Sequence, residues 1–368
     1  MKVVAVVSAK GGVGKTTLTA NLATALQHQG APTVLVVDMD PQNALRLHFG
    51  ADPGALAGIS RASLAGDSWG SVCQQSPSGV HVLPYGVVNE ADRVAFERHL
   101  EGHPDWLAQQ LQSLELPPDA LVFIDTPPGP SAYMQQALTA AHVVVVVSLP
   151  DAASYAALTL MQRLVQTYCT PRPDFSGTLY VLNQANGARQ LSKDITRVMQ
   201  DSLGDRLIGV IHEDQAVREA LAYDQSVLEY DTHGQAADDL RKCALVLAQR
   251  LVRTLCPHCK APLELDESDW QELTRPWNAP LPSGAQQQIG CLECRDTGYH
   301  GRAGVYEIMQ LSDGLKALIN PDTDLLAVRS QAFKEGMRSL RLSGAQKVAA
   351  GQTTMEEVLR VTPQSEQR

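Results

Sequence analysis

At 368 residues the chain is longer than one typical domain and leaves room for two or three. Its 44% hydrophobic and 19% charged residues exclude a disordered chain, and a net charge of −10 argues against a broad nucleic-acid-binding surface. The longest apolar runs, such as His142–Leu149, fall far short of the ~20 residues a spanning helix needs. The opening run has no charged-then-apolar leader, so a cytoplasmic protein without direct membrane insertion is expected. Seven cysteines in a chain this long do not make a disulfide framework, and four of them fall into two CxxC pairs.

In chain order, short Val-rich runs predict strands at Lys2–Ser8, Thr33–Asp38, Val80–Tyr85, Ala120–Asp125, Val143–Ser148, Thr178–Asn183 and Arg206–Ile211. They are continuous rather than alternating, as parallel strands buried on both faces are. Stretches with helical spacing, such as Thr16–His28, lie between several of them. This rhythm predicts an α/β fold with a doubly wound parallel sheet, whose ligands sit at the carboxyl ends of the strands. Residues 51–79 and 87–118 suggest only loops and helices. A helix is predicted over Gln235–Thr254, after which the rhythm stops. Short helical patterns follow at Asp313–Ile319 and Asp324–Gly336, and a last one begins at Thr353 or Thr354. There TTMEEV offers two overlapping capping boxes, with Glu356 and Glu357.

The segment Ala9–Thr17 (AKGGVGKTT) follows the first strand and opens a helix. Gly11, Gly12, Val13, Gly14, Lys15, Thr16 and Thr17 are expected to wrap anionic oxygens in backbone N–H groups, aided by the helix N-terminus. Lys15 is placed to reach the β- and γ-phosphates, and the Thr16 hydroxyl to take a magnesium position. ATP and Mg²⁺ are the ligands this predicts. Asp38 and Asp40 close the second strand, Asp125 closes ALVFID and Asn183 closes TLYVLN, all at carboxyl ends. An acid at the Asp125 position can bind magnesium through a water or orient the threonine.

A second lysine, Lys10, precedes the glycine pair, and the loop resembles the deviant Walker A motif (KGGxxGKT) of the MinD/ParA family of dimeric ATPases. The resemblance implies that Lys10 reaches the partner subunit's nucleotide, a trans charge of the arginine-finger kind. It also implies that Asp38 lies near magnesium, that Asp40 orients the attacking water and that Asn183 contacts the base. LRLHFG, DTPPGPS, LNQANGARQLSKD and IHEDQAVREALAYDQSVLEY look like the cellulose-synthase-associated BcsQ branch, from Met1 to about Arg241. His212 stands where many partition ATPases have proline, a loop residue rather than a catalytic one. The branch implies a slow, ATP-dependent homodimeric switch in assembly or placement of the bacterial cellulose secretion machinery. Cellulose synthase or secretion subunits are then the partners, and recruitment to the inner membrane or cell pole would come through them.

Cys256, Cys259, Cys291 and Cys294 form C-x2-C…C-x2-C, in which two pairs of thiolates close one tetrahedral zinc site. An iron–sulfur cluster takes the same ligands. Cys73, Cys169 and Cys243 read as small buried hydrophobes. LAQRLVRTLCPHC, CLECRDTGYHGRAGVYEIM and KEGMRSLRLSGAQKVAAGQTTMEEVLRVT look like the C-terminal region of the GspE/PilB type II secretion and type IV pilus assembly ATPases. That family's own P-loop core is missing here, so the region is expected to be a small, mostly α docking module with apolar faces that need another surface. The expected division is 1–245, a P-loop ATPase domain, and 246–368, a zinc-binding module. Two further readings stand beside the cellulose role: an ATPase serving a secretion or pilus machine, and a non-hydrolysing nucleotide-bound scaffold.

Overall fold

The valine-rich runs build the centre of a sheet. In a computed structural model, residues are described throughout except 30, 32, 53, 118–119, 249, 276–278, 306–313, 315–330, 332, 336–338 and 363–368. The chain divides into two units, Met1–Val246 and Leu247–Arg368.

The first unit holds strands β1 (Lys2–Val7), β2 (Val34–Asp38), β3 (Gln74–Gln75), β4 (His81–Leu83), β5 (Leu121–Asp125), β6 (Val143–Ser148), β7 (Gly177–Ala185) and β8 (Leu207–His212). Their order across the sheet is β3-β4-β2-β5-β1-β6-β7-β8. All neighbours are parallel except β3, which pairs antiparallel with β4 at the edge. Every residue of β2 and β6 is buried, as the unbroken apolar runs require. Helix α1 (Lys15–His28) leaves the end of β1 through the glycine loop, and its first turn, Lys15–Leu18, carries no acid.

The edge strand β3 lies in a stretch expected to hold only loops and helices. Helices Ile59–Ala65, Glu90–Gly102 and Trp106–Ser113 do form there. Aromatic side chains distant in sequence hold that region: Trp69 and Phe96 each pack edge-on against Trp106, and Tyr85 packs edge-on against Phe96 and Tyr133. Among the described residues no helix is long and apolar enough to cross a membrane.

The helix expected over Gln235–Thr254 ends at Ala248, and Arg250–Leu255 is strand β9. Its β-branched Val252 and Thr254 suit a ladder, and it pairs antiparallel with β12 (Tyr299–Val305), supplied from some fifty residues downstream. A second pair joins β10 (Ala261–Pro262) to β11 (Gln286–Gln287). The C-terminal unit is thus a helical module carrying two short strand pairs. It builds its own core from Val252, Trp270, Leu273, Val305, Ala345, Val348 and Val358, while Leu281, Ile289, Leu292 and Leu359 stay exposed. The helices expected at 313–319 and 324–336 lie almost wholly outside the described residues. Of the two capping boxes, only Thr354 acts as a cap, accepting from the Glu357 N–H, while the Thr353 hydroxyl donates to the Arg253 carbonyl.

Candidate functional site

The turn between β1 and α1 depends on glycine at two positions. Gly12 and Gly14 adopt φ of 74° and 83°, and a Cβ on Gly14 would lie 2.5 Å from Asn183 Nδ2. Nothing stands within 4 Å of where a Cβ on Gly12 would project, so the loop faces open space there. Lys15, the first residue of α1, is buried. Burial pushes its amine down, and the charges of Asp125 and Asp40 pull it back up. Thr16 Oγ1 donates to Asp125 Oδ2 at 2.7 Å. Thr19 Oγ1, one turn on, donates to the Lys15 carbonyl at 2.9 Å and lies 3.4 Å from Asp125 Oδ1; its motif spacing gave no signal for that role.

Register places the two strand-end acids side by side. Asp38 on β2 pairs with Asp125 on β5, and both are fully buried. Burial, then the charge of Asp125, raises the Asp38 carboxyl well above the usual range, against the N–H groups of Asp40 (2.9 Å) and Leu45 (3.1 Å) that donate to it. Burial likewise pushes Asp125 up to about 7, opposed by the Thr16 bond and by Lys15. Asp40 is half-buried, and its Oδ1 accepts from the Gln42 N–H at 2.9 Å. The donor set of one hydroxyl and three carboxylates is all oxygen, which fits a hard cation such as Mg²⁺.

Lys10 Nζ lies 3.5 Å from both Asp151 Oδ1 and Ser154 Oγ, partners that the motif did not indicate. On the far side of the loop, β7 and β8 break register between Leu182 and Ala185. This irregularity, with Gln184 at φ 55°, turns Asn183 onto the loop. The Asn183 amide donates to the Val13 carbonyl at 2.8 Å, and Gln184 Nε2 reaches the Gly12 carbonyl at 3.4 Å. Asn183 therefore braces the phosphate loop directly. His212 closes β8, and its Nδ1 lies 2.8 Å from Asp239 Oδ2.

In the C-terminal unit the Sγ atoms of Cys256, Cys259, Cys291 and Cys294 all lie within 4.8 Å of one another. Three of the separations are 3.9, 3.8 and 3.7 Å, close to the edge of a tetrahedron with metal–sulfur bonds of about 2.3 Å. Burial would push the Cys294 thiol up, but N–H groups of Cys291 and Gly298 donate to its sulfur and bring it down to about 6. The cluster fits a thiophilic ion, with no position left open for catalysis. Of the remaining cysteines, Cys169 and Cys243 are buried as expected, while Cys73 is only half-buried beside the edge strand.

Glycine loop, strand-end acids and sheet order together define a MinD-like P-loop NTPase unit. The septum site-determining protein MinD of Pyrococcus horikoshii, solved with Mg-ADP, superposes with a TM-score of 0.55 at 25% identity, over 67% of this chain and 95% of that one. MinD of Pyrococcus furiosus gives 0.54 at 26% identity, over 66% and 96%. Residues 1–249 match the family described as Cellulose biosynthesis protein BcsQ, and the chain belongs to that family. Residues 232–360 match the Type II/IV secretion system protein family. There the type IV pilus assembly ATPase TfpB of Acinetobacter baylyi is 48% identical over 118 residues, 32% of this chain and 20% of TfpB. Across such curated relatives the chain spans about a fifth of their length.

Proposed function

We propose that the chain is an ATP-binding and ATP-hydrolysing switch that dimerises around nucleotide and serves assembly or localisation of a cellulose synthesis and secretion machinery. The observation that carries this is the Thr16–Asp125 bond beneath a glycine loop with a lysine on either side of its glycines. The P. horikoshii relative holds Mg-ADP, and the family's description names cellulose biosynthesis.

The phosphates of ATP rest against the backbone N–H groups of Gly11–Thr17, with Lys15 beside the β- and γ-oxygens. Thr16, Asp38 and Asp125 hold Mg²⁺, which when bound neutralises charge on those oxygens. Asp40 orients a water for in-line attack on the γ-phosphorus. As the new P–O bond forms, the bond to the bridging oxygen breaks, ADP leaves with its electron pair, and the water's surplus proton passes to the released phosphate or to solvent. Lys10, engaged by Asp151 and Ser154 in the single chain, transfers to the partner subunit's phosphates in the dimer. Asn183 holds the loop in shape beside the base. The working division is 1–245 as the switch and 246–368 as a zinc-holding docking module.

Light scattering with ATP and with ADP, run alongside phosphate release, tests this reading. A dimer formed only with ATP and lost as phosphate appears is expected. A nucleotide-independent oligomer without turnover overturns it and favours a scaffold. The complete tetracysteine cluster favours a second reading, in which the module docks the switch onto a type II secretion or type IV pilus machine. Affinity capture through residues 246–368 in cells separates the two by recovering either cellulose synthase or secretion subunits.

A further inference from the structure

Resting on the nucleotide reading above, we propose that the imidazole of His212, held by buried Asp239, is the group that selects an adenine base over guanine. A nucleotide whose phosphates lie on the glycine loop has to run its base along the carboxyl edge of the sheet in one of two directions. Towards β5 and β2 it meets Asp125, Asp38 and Asp40, the end that suits a cation and the terminal phosphate. Towards β7 and β8 it meets the Asn183 and Gln184 amides, which already touch the Val13 and Gly12 carbonyls, and then the His212 ring.

His212 sits one strand from that bracing pair, opposite Ala185 in the register of β7 and β8. The Glu213 N–H donates to the Ala185 carbonyl at 3.0 Å and fixes the strand ends together. The other acids here are engaged: Glu213 with Asn186 and Arg218, and Asp214 with the N–H groups of Ala216 and Ala236.

Asp239 is 7% exposed, and its Oδ2 accepts from the His212 backbone N–H at 3.1 Å and from Nδ1 at 2.8 Å. Gln235 Nε2 donates to its other oxygen at 2.9 Å. A carboxylate only accepts, so the proton is on Nδ1, and in the neutral ring Nε2 presents a lone pair. The side chain is 45% exposed, so Nε2 is open to a ligand while the ring's orientation is fixed from behind. Adenine offers an amino donor at its six-position; guanine offers a carbonyl oxygen there, which would set lone pair against lone pair.

The test is calorimetric binding of the non-hydrolysable analogues AMPPNP and GMPPNP, with magnesium, to the full chain. Wild type is expected to prefer AMPPNP by about tenfold, the scale of one well-made polar contact. His212→Ala should bring the two within about twofold by weakening AMPPNP alone, and His212→Lys, which replaces the acceptor with a donor, should reverse the preference. Circular dichroism of both variants checks the fold, and His212→Gln, which keeps an acceptor, should retain part of the preference. An adenine preference that survives both His212→Ala and His212→Lys overturns the proposal, as does a wild type that binds both analogues equally. Binding of neither analogue overturns the nucleotide reading itself, and this inference with it.

Discussion

Thr16 Oγ1 and Asp125 Oδ2 meet at 2.7 Å, so the phosphate loop's threonine and the acid ending β5 form one hydrogen-bonded unit. The bond commits the hydroxyl's proton to Asp125 and leaves its lone pairs available to a cation. Asp125→Ala removes the acceptor and leaves Thr16 and Thr19 without it. We expect magnesium-dependent ATP binding to weaken at least tenfold while magnesium-free binding changes little, which titration with and without magnesium would read. Equal losses in both conditions would mean that Asp125 serves only to build the loop.

Asp125 carries a pH signature as well. Its carboxyl is pushed up from 3.8 to about 7, so the folded chain binds that proton more tightly than the unfolded chain does. The stabilisation is present in full below about pH 4 and is lost as the pH rises to about 7, a swing on the order of 4 kcal/mol. Asp38, raised for the same reasons, adds in the same direction. Nucleotide-free protein should therefore lose stability across that window in urea titrations. Asp125→Asn, which can still accept from Thr16, should flatten the slope and be the more stable protein at pH above about 7. A variant as steep as wild type would refute the assignment.

What was legible in the sequence had local causes. Unbroken valine runs marked the central strands, glycine spacing marked the phosphate loop, and paired cysteines marked the thiolate cluster. What was not legible came from pairing at a distance. Residues 250–255 carry a helical period that continues from Gln235, and only their partner strand Tyr299–Val305 makes them a strand. The aromatic group of Trp69, Tyr85, Phe96, Trp106 and Tyr133 is scattered over more than sixty positions, so no window reveals it. Asn183 turns to the loop through a register break, and His212 meets Asp239 from a different element; neither has a periodicity to read.

The thiolate cluster predicts a count. Of seven cysteines, Cys169 and Cys243 are buried with thiols pushed up to about 12 by burial, so neither reacts at neutral pH. With four thiolates on a metal, only Cys73 should react with a disulfide reagent in native protein, and chelation should expose four more. Elemental analysis of protein prepared under reducing conditions should find one zinc per chain. Five reactive thiols before chelation would refute the site, and iron with sulfide would identify a cluster instead.

Glu357 is the polar centre of the C-terminal unit. Its side chain is 1% exposed, and burial would push the carboxyl up, but Arg253 and Arg360 hold it below the usual range. Arg253 donates from Nε and Nη2 to Oε2 at 3.0 and 2.9 Å and from its backbone N–H to Oε1 at 3.0 Å, while its guanidinium stacks 4.0 Å from the centre of the Tyr299 ring. Glu357 therefore ties the last helix to β9, and β9 leads directly into Cys256. Glu357 is the buried member, while the Arg253 side chain is 37% exposed and can turn to water, so Glu357→Ala should cost about 1.5–3 kcal/mol, the scale of its charged hydrogen bonds. Arg360 is 56% exposed, and Arg360→Ala should cost under about 1 kcal/mol. Hydrogen exchange over residues 250–255 reads both: protection should collapse in Glu357→Ala and persist in Arg360→Ala. Equal loss in the two variants would place the strength of the unit in its exposed charge rather than in the Arg253–Glu357 pair.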